Sequence, residues 1–360
     1  MLIAPHPDDE AVACSIILHR ALLKGATVRV VYVTDGDNNP WPQRLLERKW
    51  GLNAADRKRW GKLRRAEALA ALRVLGLRHD DAEFLALPDQ GMTDLLLADG
   101  NSLVTRVARL MAEWRPTDVL LPSLSDTHPD HSAVAVLLRL ALEDQRAGEA
   151  PIRQWSYLVH GRRAAFAQSA LALAQSKSET ARKILAIRCH ETQIKLSRRR
   201  FLAYADRQEQ FAPVAPIRPG TGVGAIRSTH RGDSTLCLSL RLQIKPWLAP
   251  ENAVLLLGRT IAGELQSFRV RMPVRSGPVD MVDGGTGDQV GVAHFRGHAF
   301  SGKFFLPTEL FSPSQNLFVK FDRRSWFFDE AGWLEVPPAV SREQIPQPAL
   351  TAEESSLAIR

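Results

Sequence analysis

Strand-like and helix-like segments alternate along the first 150 residues, and this alternation limits the possible folds more than any other feature. A β-branched run at 28–33 predicts a strand, and apolar residues at helical spacing over 11–24, closed by Gly25, predict a helix. Strands alternating with helices of this length are typical of a parallel sheet with helices on both faces. Further strands are predicted at 82–87 and 118–121, and further helices at 57–75, 102–114 and 132–142. Two more helices are predicted at 178–194 and 199–211.

The pattern changes near residue 215. Residues 213–222 hold three prolines and two glycines, and short strand-like runs separated by turns follow them. The chain has 360 residues, more than twice the roughly 150 of a typical domain. We therefore predict an α/β domain with a Rossmann-like, mostly parallel sheet, and then a small all-β, sandwich-like domain. The predicted boundaries are 1–212 for the first domain, 213–225 for a linker, 226–340 for the β-rich accessory domain and 341–360 for a polar tail.

Composition excludes several other classes of protein. Hydrophobic residues make up 45% and charged residues 24%, which excludes a largely disordered or collagen-like chain. Three widely spaced cysteines cannot form a disulfide framework, which favours a reducing compartment, and we expect a cytoplasmic protein. No apolar run approaches the roughly 20 residues of a membrane span, and no signal peptide is recognisable. The first strand has almost nothing before it, so we expect the true start to lie upstream of Met1.

Positive charge is concentrated in two stretches. The net charge is +8, and basic residues cluster at 44–65 and 182–207. Such clusters attract phosphate or anionic lipid, although solvated helix faces have the same composition. Because no nucleic-acid-binding motif accompanies them, we predict no specific nucleic-acid partner. An anionic substrate and peripheral membrane contact remain open, and the oligomeric state cannot be predicted.

Two short polar segments stand directly after predicted strands. Residues 6–10 read His-Pro-Asp-Asp-Glu, and residues 128–131 read His-Pro-Asp-His. A single histidine or aspartate in a loop is ordinarily a surface residue or a helix cap. Here, however, the carboxyl ends of parallel strands meet in one crevice, so the two segments can meet although more than 100 residues separate them.

Together the segments hold the ligand set of a metal site. A catalytic zinc takes three nitrogen or oxygen ligands, and His6, Asp9 and His131 complete such a set. Asp8 must point away from Asp9, which suits a base acting on water. His128 remains as a donor or acid. Two histidines and one aspartate suit Zn²⁺, and Fe²⁺ or Co²⁺ are alternatives.

The two segments resemble the paired signature of the PIG-L (LmbE-like) family of zinc-dependent N-acetylglucosaminyl deacetylases. The resemblance covers roughly residues 1–212. It is specific at the two histidine segments and weak at each later match. The weaker matches are Thr34-Asp35-Gly36, Arg64-Arg65-Ala66-Glu67, Pro88-Asp89-Gln90-Gly91 and His190-Glu191-Thr192-Gln193.

The resemblance also implies roles for individual residues. Arg64 and Asp89 would contact the sugar, although a helix surface charge and a turn residue are equally ordinary readings of them. His190 is better explained as a structural residue. Some family members carry a tyrosine where this chain has Asp126, which leaves the general acid open between His128 and Asp126. The metal ligands would be His6, Asp9 and His131, with Asp8 as general base, His128 stabilising or protonating the tetrahedral intermediate, and Asp130 supporting a histidine.

The sequence therefore predicts a zinc-dependent hydrolase that removes an acetyl group from an N-acetylated amino sugar or glycoconjugate by attack of a metal-activated water. One alternative is the same metal site acting on a different amide, such as a thiol conjugate or an aminoglycoside-like metabolite. Another is a glycan-binding protein with a residual catalytic domain. In that case Trp247, Trp326, Trp333 and Phe327-Phe328 would bind sugar, although aromatic residues in β domains more often form the core.

Overall fold

A seven-stranded sheet organises the first half of the protein. The computed structural model describes residues 1–143, 151–214, 222–242, 252–298, 300–325 and 327–338. The strands are β1 (Leu2–Ala4), β2 (Val30–Thr34), β3 (Ala82–Leu87), β4 (Asp118–Pro122), β5 (Arg153–Tyr157), β6 (Leu171–Ala172) and β7 (Gln210–Pro213). Their order is β3-β2-β1-β4-β5-β7-β6. The first five are parallel, and β6 and β7 are antiparallel to their neighbours.

Helices cover both faces of this sheet, as the alternation predicted. Alternate residues of β1 and β2 point to opposite cores: Ile3 and Val31 to one, Leu2 and Val30 to the other. No described helix is both long and apolar enough to cross a membrane. The helices are α1 (Asp9–Ala13), α2 (Ser15–Leu23), α3 (Pro40–Glu47), α4 (Ala54–Leu75), α5 (Met92–Trp114), α6 (Pro129–Glu143), α7 (Arg163–Ala167), α8 (Lys177–Arg188) and α9 (Glu191–Leu202).

Several predicted helices have different bounds in the structure, and the one predicted over 11–24 is divided into α1 and α2. Helix α5 starts at Met92, ten residues earlier than predicted, and it continues through a non-helical residue, Asp99, with φ −139°. The kink interrupts the apolar spacing on which the prediction depended. A helix predicted over 199–211 ends instead at Leu202, and 210–213 form the antiparallel strand β7.

The second sheet is entirely antiparallel, which confirms the all-β prediction for this region. Its nine strands run in one continuous order, β18-β15-β10-β11-β12-β13-β14-β9-β8, and the side chains buried on one face, among them Leu256, Phe295 and Val319, form one cluster. The predicted polar tail lies outside the described residues, as does most of the predicted linker. The strands are β8 (Ile226–Arg231), β9 (Thr235–Arg241), β10 (Ala253–Arg259), β11 (Leu265–Arg271), β12 (Gly277–Asp283), β13 (Gln289–His298), β14 (Ser301–Pro307), β15 (Leu317–Asp322) and β18 (Leu334–Val336), with a separate hairpin of β16 (Arg324–Ser325) and β17 (Phe328–Asp329).

The two sheets share one apolar core through helices α5 and α6. Leu257 of β10 and Phe318 of β15 belong to the same buried cluster as Val107 of α5 and Val136 of α6. Polar contacts also cross this interface, because Ser267 Oγ donates to the Leu97 carbonyl at 2.8 Å and Arg259 donates to the Leu140 carbonyl at 3.2 Å. The β sheet is therefore packed against the α/β unit as a further layer.

Candidate metal centre and cavity

The site forms where the parallel strands end. The loop after β1 leads through residues 6–10 into α1, and the loop after β4 leads through His128 into α6. Because β1 pairs with β4, these two loops lie side by side. They border a cavity of about 440 Å³, whose lining includes His6, Asp8, Asp9 and His128.

The three predicted metal ligands converge on one point. His6 Nδ1 lies 3.2 Å from His131 Nε2, and His131 Nε2 lies 3.4 Å from Asp9 Oδ1. His6 Nδ1 and Asp9 Oδ2 are 3.8 Å apart. All three side chains are buried. Two imidazole nitrogens and a carboxylate meeting at such distances are a donor set that suits a divalent cation.

In both His6 and His131, the ring nitrogen that faces away from the proposed metal position lies close to a carboxylate. His6 Nε2 lies 3.1 Å from Asp130 Oδ2 and 3.2 Å from Asp89 Oδ1, while His131 Nδ1 lies 3.2 Å from Asp126 Oδ2. A carboxylate at the outer nitrogen keeps the proton there, and it leaves a lone pair on the inner nitrogen. The inner nitrogens, His6 Nδ1 and His131 Nε2, are the two that face each other, so the residues present fit a bound metal.

Asp126 is placed as the support of His131. It is fully buried, and it accepts backbone N–H groups from His128 at 2.9 Å and from Val159 and His160 at 3.1 Å. Burial alone raises the pKa of the Asp126 carboxyl, but His131, His160 and the His128 N–H bring it below its usual value. A buried, fully engaged carboxylate is a poor proton donor to substrate, so the geometry favours His128 as the group that acts on substrate.

Asp130 and Asp89 hold His6 from the outside. Asp130 accepts the backbone N–H of Gln90 at 2.6 Å, and Asp89 accepts that of Asn38 at 2.6 Å. Ligand atoms of Asp89, Asp130 and His6 also lie within 4.8 Å of one another. Because both carboxylates already accept backbone donors, we read them as supports of the His6 ring. The predicted sugar contact of Asp89 stays a prediction.

His128 faces the cavity in a defined orientation. Its Nδ1 accepts the backbone N–H of Asp130 at 3.3 Å, and its ring centroid lies 4.6 Å from that of His6 and 5.1 Å from that of His131. Burial, reinforced by the neighbouring histidines, places the pKa of His128 well below its ordinary value. The ring is therefore neutral, and because Nδ1 accepts, its proton is on Nε2. A ligand atom of His128 also lies within 4.8 Å of those of His6 and His131.

Asp8 is held apart from Asp9 by an unusual backbone conformation. Its φ of 142° lies in the region that favours glycine, and its N–H donates to Glu10 Oε2 at 3.0 Å. Glu10 Oε1 in turn lies 2.7 Å from Nε2 of the buried His190. This places His190 in the supporting structure, as its predicted structural role requires.

Arg64 also positions Asp8. Its guanidinium donates to Asp8 Oδ2 at 3.0 Å and to the carbonyls of Pro7 and Gly36 at 2.6 Å. Gly36 has a positive φ, and a Cβ at this position would collide with the guanidinium. Arg64 is only 4% exposed, and its described hydrogen bonds are to other residues of this chain. The predicted contact of Arg64 with a sugar stays a prediction.

Several residues at the cavity were missed by the sequence interpretation. His160 lies after β5, and its ring centroid is 5.3 Å from that of His131; burial lowers its pKa to about 3. No strand was predicted at 153–157, so the sequence analysis had no signal that marked His160. Arg200 lines the cavity as well, and no described residue forms an ion pair with it. Three aromatic residues of the lining, Trp41, Phe201 and Tyr204, were also missed, whereas Phe327 and Phe328, which line it too, were named in the glycan-binding alternative.

One comparison with known proteins matches the N-terminal part of the chain. Residues 1–142 match the PIG-L family model, described as GlcNAc-PI de-N-acetylase, which confirms the predicted resemblance over the stretch that holds both histidine segments. No curated protein matches the chain.

Solved structures similar to this chain have low identity to it and cover about 60% of its length. A deacetylase of teicoplanin biosynthesis has 20% identity and a TM-score of 0.47, with 59% of this chain and 96% of the other covered. The N,N'-diacetylchitobiose deacetylase of Pyrococcus horikoshii has 18% identity and a TM-score of 0.45, with 59% and 82% covered. A 4-carboxy-2-hydroxymuconate hydratase of Pseudomonas putida has 21% identity and a TM-score of 0.44, with 60% and 96% covered.

Proposed function

We propose that this protein is a zinc-dependent hydrolase that removes an acetyl, or another acyl, group from an N-acylated amino sugar or glycoconjugate. The observation that carries the proposal is the convergence of His6 Nδ1, Asp9 and His131 Nε2 within 3.8 Å of one another, beside Asp8. These residues lie in the part of the chain that matches the family of GlcNAc-PI de-N-acetylases.

The donor set suits Zn²⁺, with Fe²⁺ and Co²⁺ as alternatives. His6, Asp9 and His131 would hold the ion, and Asp130, Asp89 and Asp126 would fix the two histidine rings. A bound Zn²⁺ supplies Lewis-acid chemistry, which activates water and polarises an amide carbonyl.

The chain's own residues would move the protons. Asp8, held by Arg64 and by the Glu10 carboxylate, takes a proton from the attacking water and passes it to the departing amine. His128 is neutral with its proton on Nε2, so it donates a hydrogen bond to the oxygen that gains charge as the carbonyl carbon becomes tetrahedral. His128 would thereby stabilise the intermediate without becoming charged first.

The cavity suits a substrate with one anionic group. Its volume of about 440 Å³ is within the range of small-molecule sites and is large enough for one amino sugar. Arg200 on its wall has no carboxylate partner among the described residues and would pair with a phosphate or carboxylate. The two basic stretches are consistent with this charge preference. Cytoplasmic location and peripheral membrane contact stay predictions.

The glycan-binding alternative receives less support. Trp333 is 2% exposed and belongs to the shared core, so it cannot stack on a sugar at the surface. Trp247 and Trp326 lie outside the described residues. Phe327 and Phe328 line the cavity itself, where they would contact the substrate of the enzyme. Hydrolysis of a different amide remains the alternative that uses the same residues.

Acetate release from a panel of N-acetylhexosamines tests the proposal. The panel spans free, phosphorylated, nucleotide-linked and lipid-linked sugars and also includes a thiol conjugate, and the protein is loaded with zinc. Asp8→Asn is expected to lower kcat by about 10²- to 10⁴-fold with the zinc content unchanged, because only the base is lost. His131→Ala is expected to lose zinc.

Two exposed residues provide matched controls. Asp80→Asn and His79→Ala remove the same groups from a surface turn far from the cavity, and both are expected to leave kcat and zinc content unchanged. Full activity of Asp8→Asn would contradict the proposed base. Zinc binding without acetate release from any sugar, but with turnover of the thiol conjugate, would favour the alternative amide.

A further inference from the structure

We infer that Phe328, a residue of the C-terminal β unit, forms a wall of the reaction site and limits the size of the acyl group that the site accepts. This rests on the proposed function and adds to it a specificity-determining residue. The juxtaposition that carries it is the aromatic ring of Phe328 against the rings of His128 and His160.

The ring of Phe328 closes one side of the cavity. Its centroid lies 5.8 Å from that of His128 with an interplanar angle of 84°, and 5.1 Å from that of His160 with an angle of 53°. The contact with His128 is edge-on, a favoured geometry between aromatic rings, and the contact with His160 is tilted. His128 is the residue that faces the carbonyl oxygen in the proposed reaction, so Phe328 lies directly beside the reacting group.

The hairpin that carries Phe328 is anchored on both sides. The N–H of Asp329 donates to the Thr127 carbonyl at 2.8 Å, in the loop that leads to His128. The Asp329 carboxylate lies 2.5 Å from Lys320 Nζ, and both side chains are fully buried. Farther along, Gly332 approaches the Leu124 carbonyl so closely that a Cβ would collide with it. The ring is therefore a fixed wall.

The proposed positions of the carbonyl oxygen and the amide nitrogen place Phe328 beside the alkyl group of the acyl moiety. The carbonyl carbon carries an oxygen, a nitrogen and an alkyl group, and the proposed mechanism places the oxygen at His128 and the nitrogen towards Asp8. Asp8 is held by Arg64, and the described contacts of these two residues include none with His128 or Phe328. The alkyl group is thus left facing the rings of Phe328 and His160, which limit the space for it. The amino-sugar part would extend towards Arg200 and Trp41.

Binding of aliphatic hydroxamates tests the wall without any turnover. Hydroxamates chelate metal ions and place an alkyl group where the acyl group of an amide would lie. The probes are acetohydroxamate, butyrohydroxamate and hexanohydroxamate, measured by calorimetry on the full, zinc-loaded chain. In the wild type, Kd is expected to rise by at least about tenfold from the acetyl to the hexanoyl compound, because a tight apolar site discriminates by about tenfold or more per methylene.

Phe328→Ala is expected to abolish this discrimination, so that hexanohydroxamate gains at least about tenfold relative to acetohydroxamate. The control is Phe305→Ala, which removes an equal, half-buried ring from β14, and it should keep the wild-type ratio. If Phe328→Ala fails to fold, Phe328→Leu decides the question, with a smaller shift in the same direction.

The outcomes separate the two proposals. Tight binding of acetohydroxamate with an unchanged chain-length ratio in the Phe328 variants would overturn the wall and leave the metal centre intact. No binding of any hydroxamate to the zinc-loaded wild type would contradict the metal centre, and the wall with it. Relaxed discrimination in the Phe328 variants alone would support both.

Discussion

The two sheets contribute to one cavity in opposite ways. The parallel sheet brings charged and ligating side chains, because the loops after β1 and β4 both end at the same edge. The C-terminal β unit adds two aromatic side chains, Phe327 and Phe328, from the short hairpin β16–β17, which is separate from the nine-stranded sheet. The reactive groups are therefore local to the α/β unit, whereas the shape of the cavity depends on how the second sheet docks onto α5 and α6.

The largest effect is expected from removing the β unit, which tests whether the α/β unit depends on it for stability. A chain of residues 1–222 would expose the apolar faces of α5 and α6, on which Val107 and Val136 now pack against Leu257 and Phe318. We expect this chain to aggregate and to lose cooperative unfolding, as measured by size-exclusion chromatography and thermal circular dichroism. A cooperative transition at the full-length temperature would show that the two units are independent.

The next largest effect on stability is expected from a substitution that removes one buried charge from the interface. Lys320→Met leaves Asp329 as a buried carboxylate without its ammonium partner, which costs about 3–5 kcal/mol of unfolding free energy. Urea denaturation measures this loss. The exposed Lys303→Met of the same sheet serves as the control and is expected to change stability little. Lys320→Met combined with Asp329→Leu should recover most of the loss, and a double variant as unstable as the single one would argue against the ion pair as the cause.

The smallest effect concerns the pH dependence of the same interface. Glu335 of β18 lies 3.4 Å from Arg139 of α6; burial raises the pKa of Glu335, and Arg139 opposes the rise. The folded state then binds more protons than the unfolded state above the ordinary value of 4.5. Consequently the free energy of unfolding falls as the pH rises through that window. Glu335→Gln should remove this slope in urea denaturations between pH 4 and 7, and the exposed Glu113→Gln should keep it.

The proximity of the three proposed metal ligands could be predicted from the sequence because it follows from strand order. Each of His6, Asp9 and His131 stands within ten residues of the end of a parallel strand, and such ends converge whatever the details of packing. The strand at 82–87 was likewise predicted with the bounds that the structure shows. Local pattern and topology were sufficient in these cases.

Other features depend on contacts between distant segments, and no local pattern encodes them. Nothing in the residues around Arg64 indicates that its guanidinium is used by Pro7, Asp8 and Gly36. Phe328 likewise reads as an ordinary β-domain aromatic, because its approach to His128 follows from the docking of a whole sheet. The kink of helix α5 at Asp99 was likewise not predicted from the local sequence pattern.

The backbone of Asp8 has a consequence for how this sequence can change over time. A non-glycine residue at a φ of 142° stores strain of about 1–3 kcal/mol, which glycine would release. A related protein that no longer catalysed the reaction would therefore gain stability from the substitution Asp8→Gly. Aspartate at this position in related sequences would therefore indicate selection for the proposed chemistry at the expense of stability.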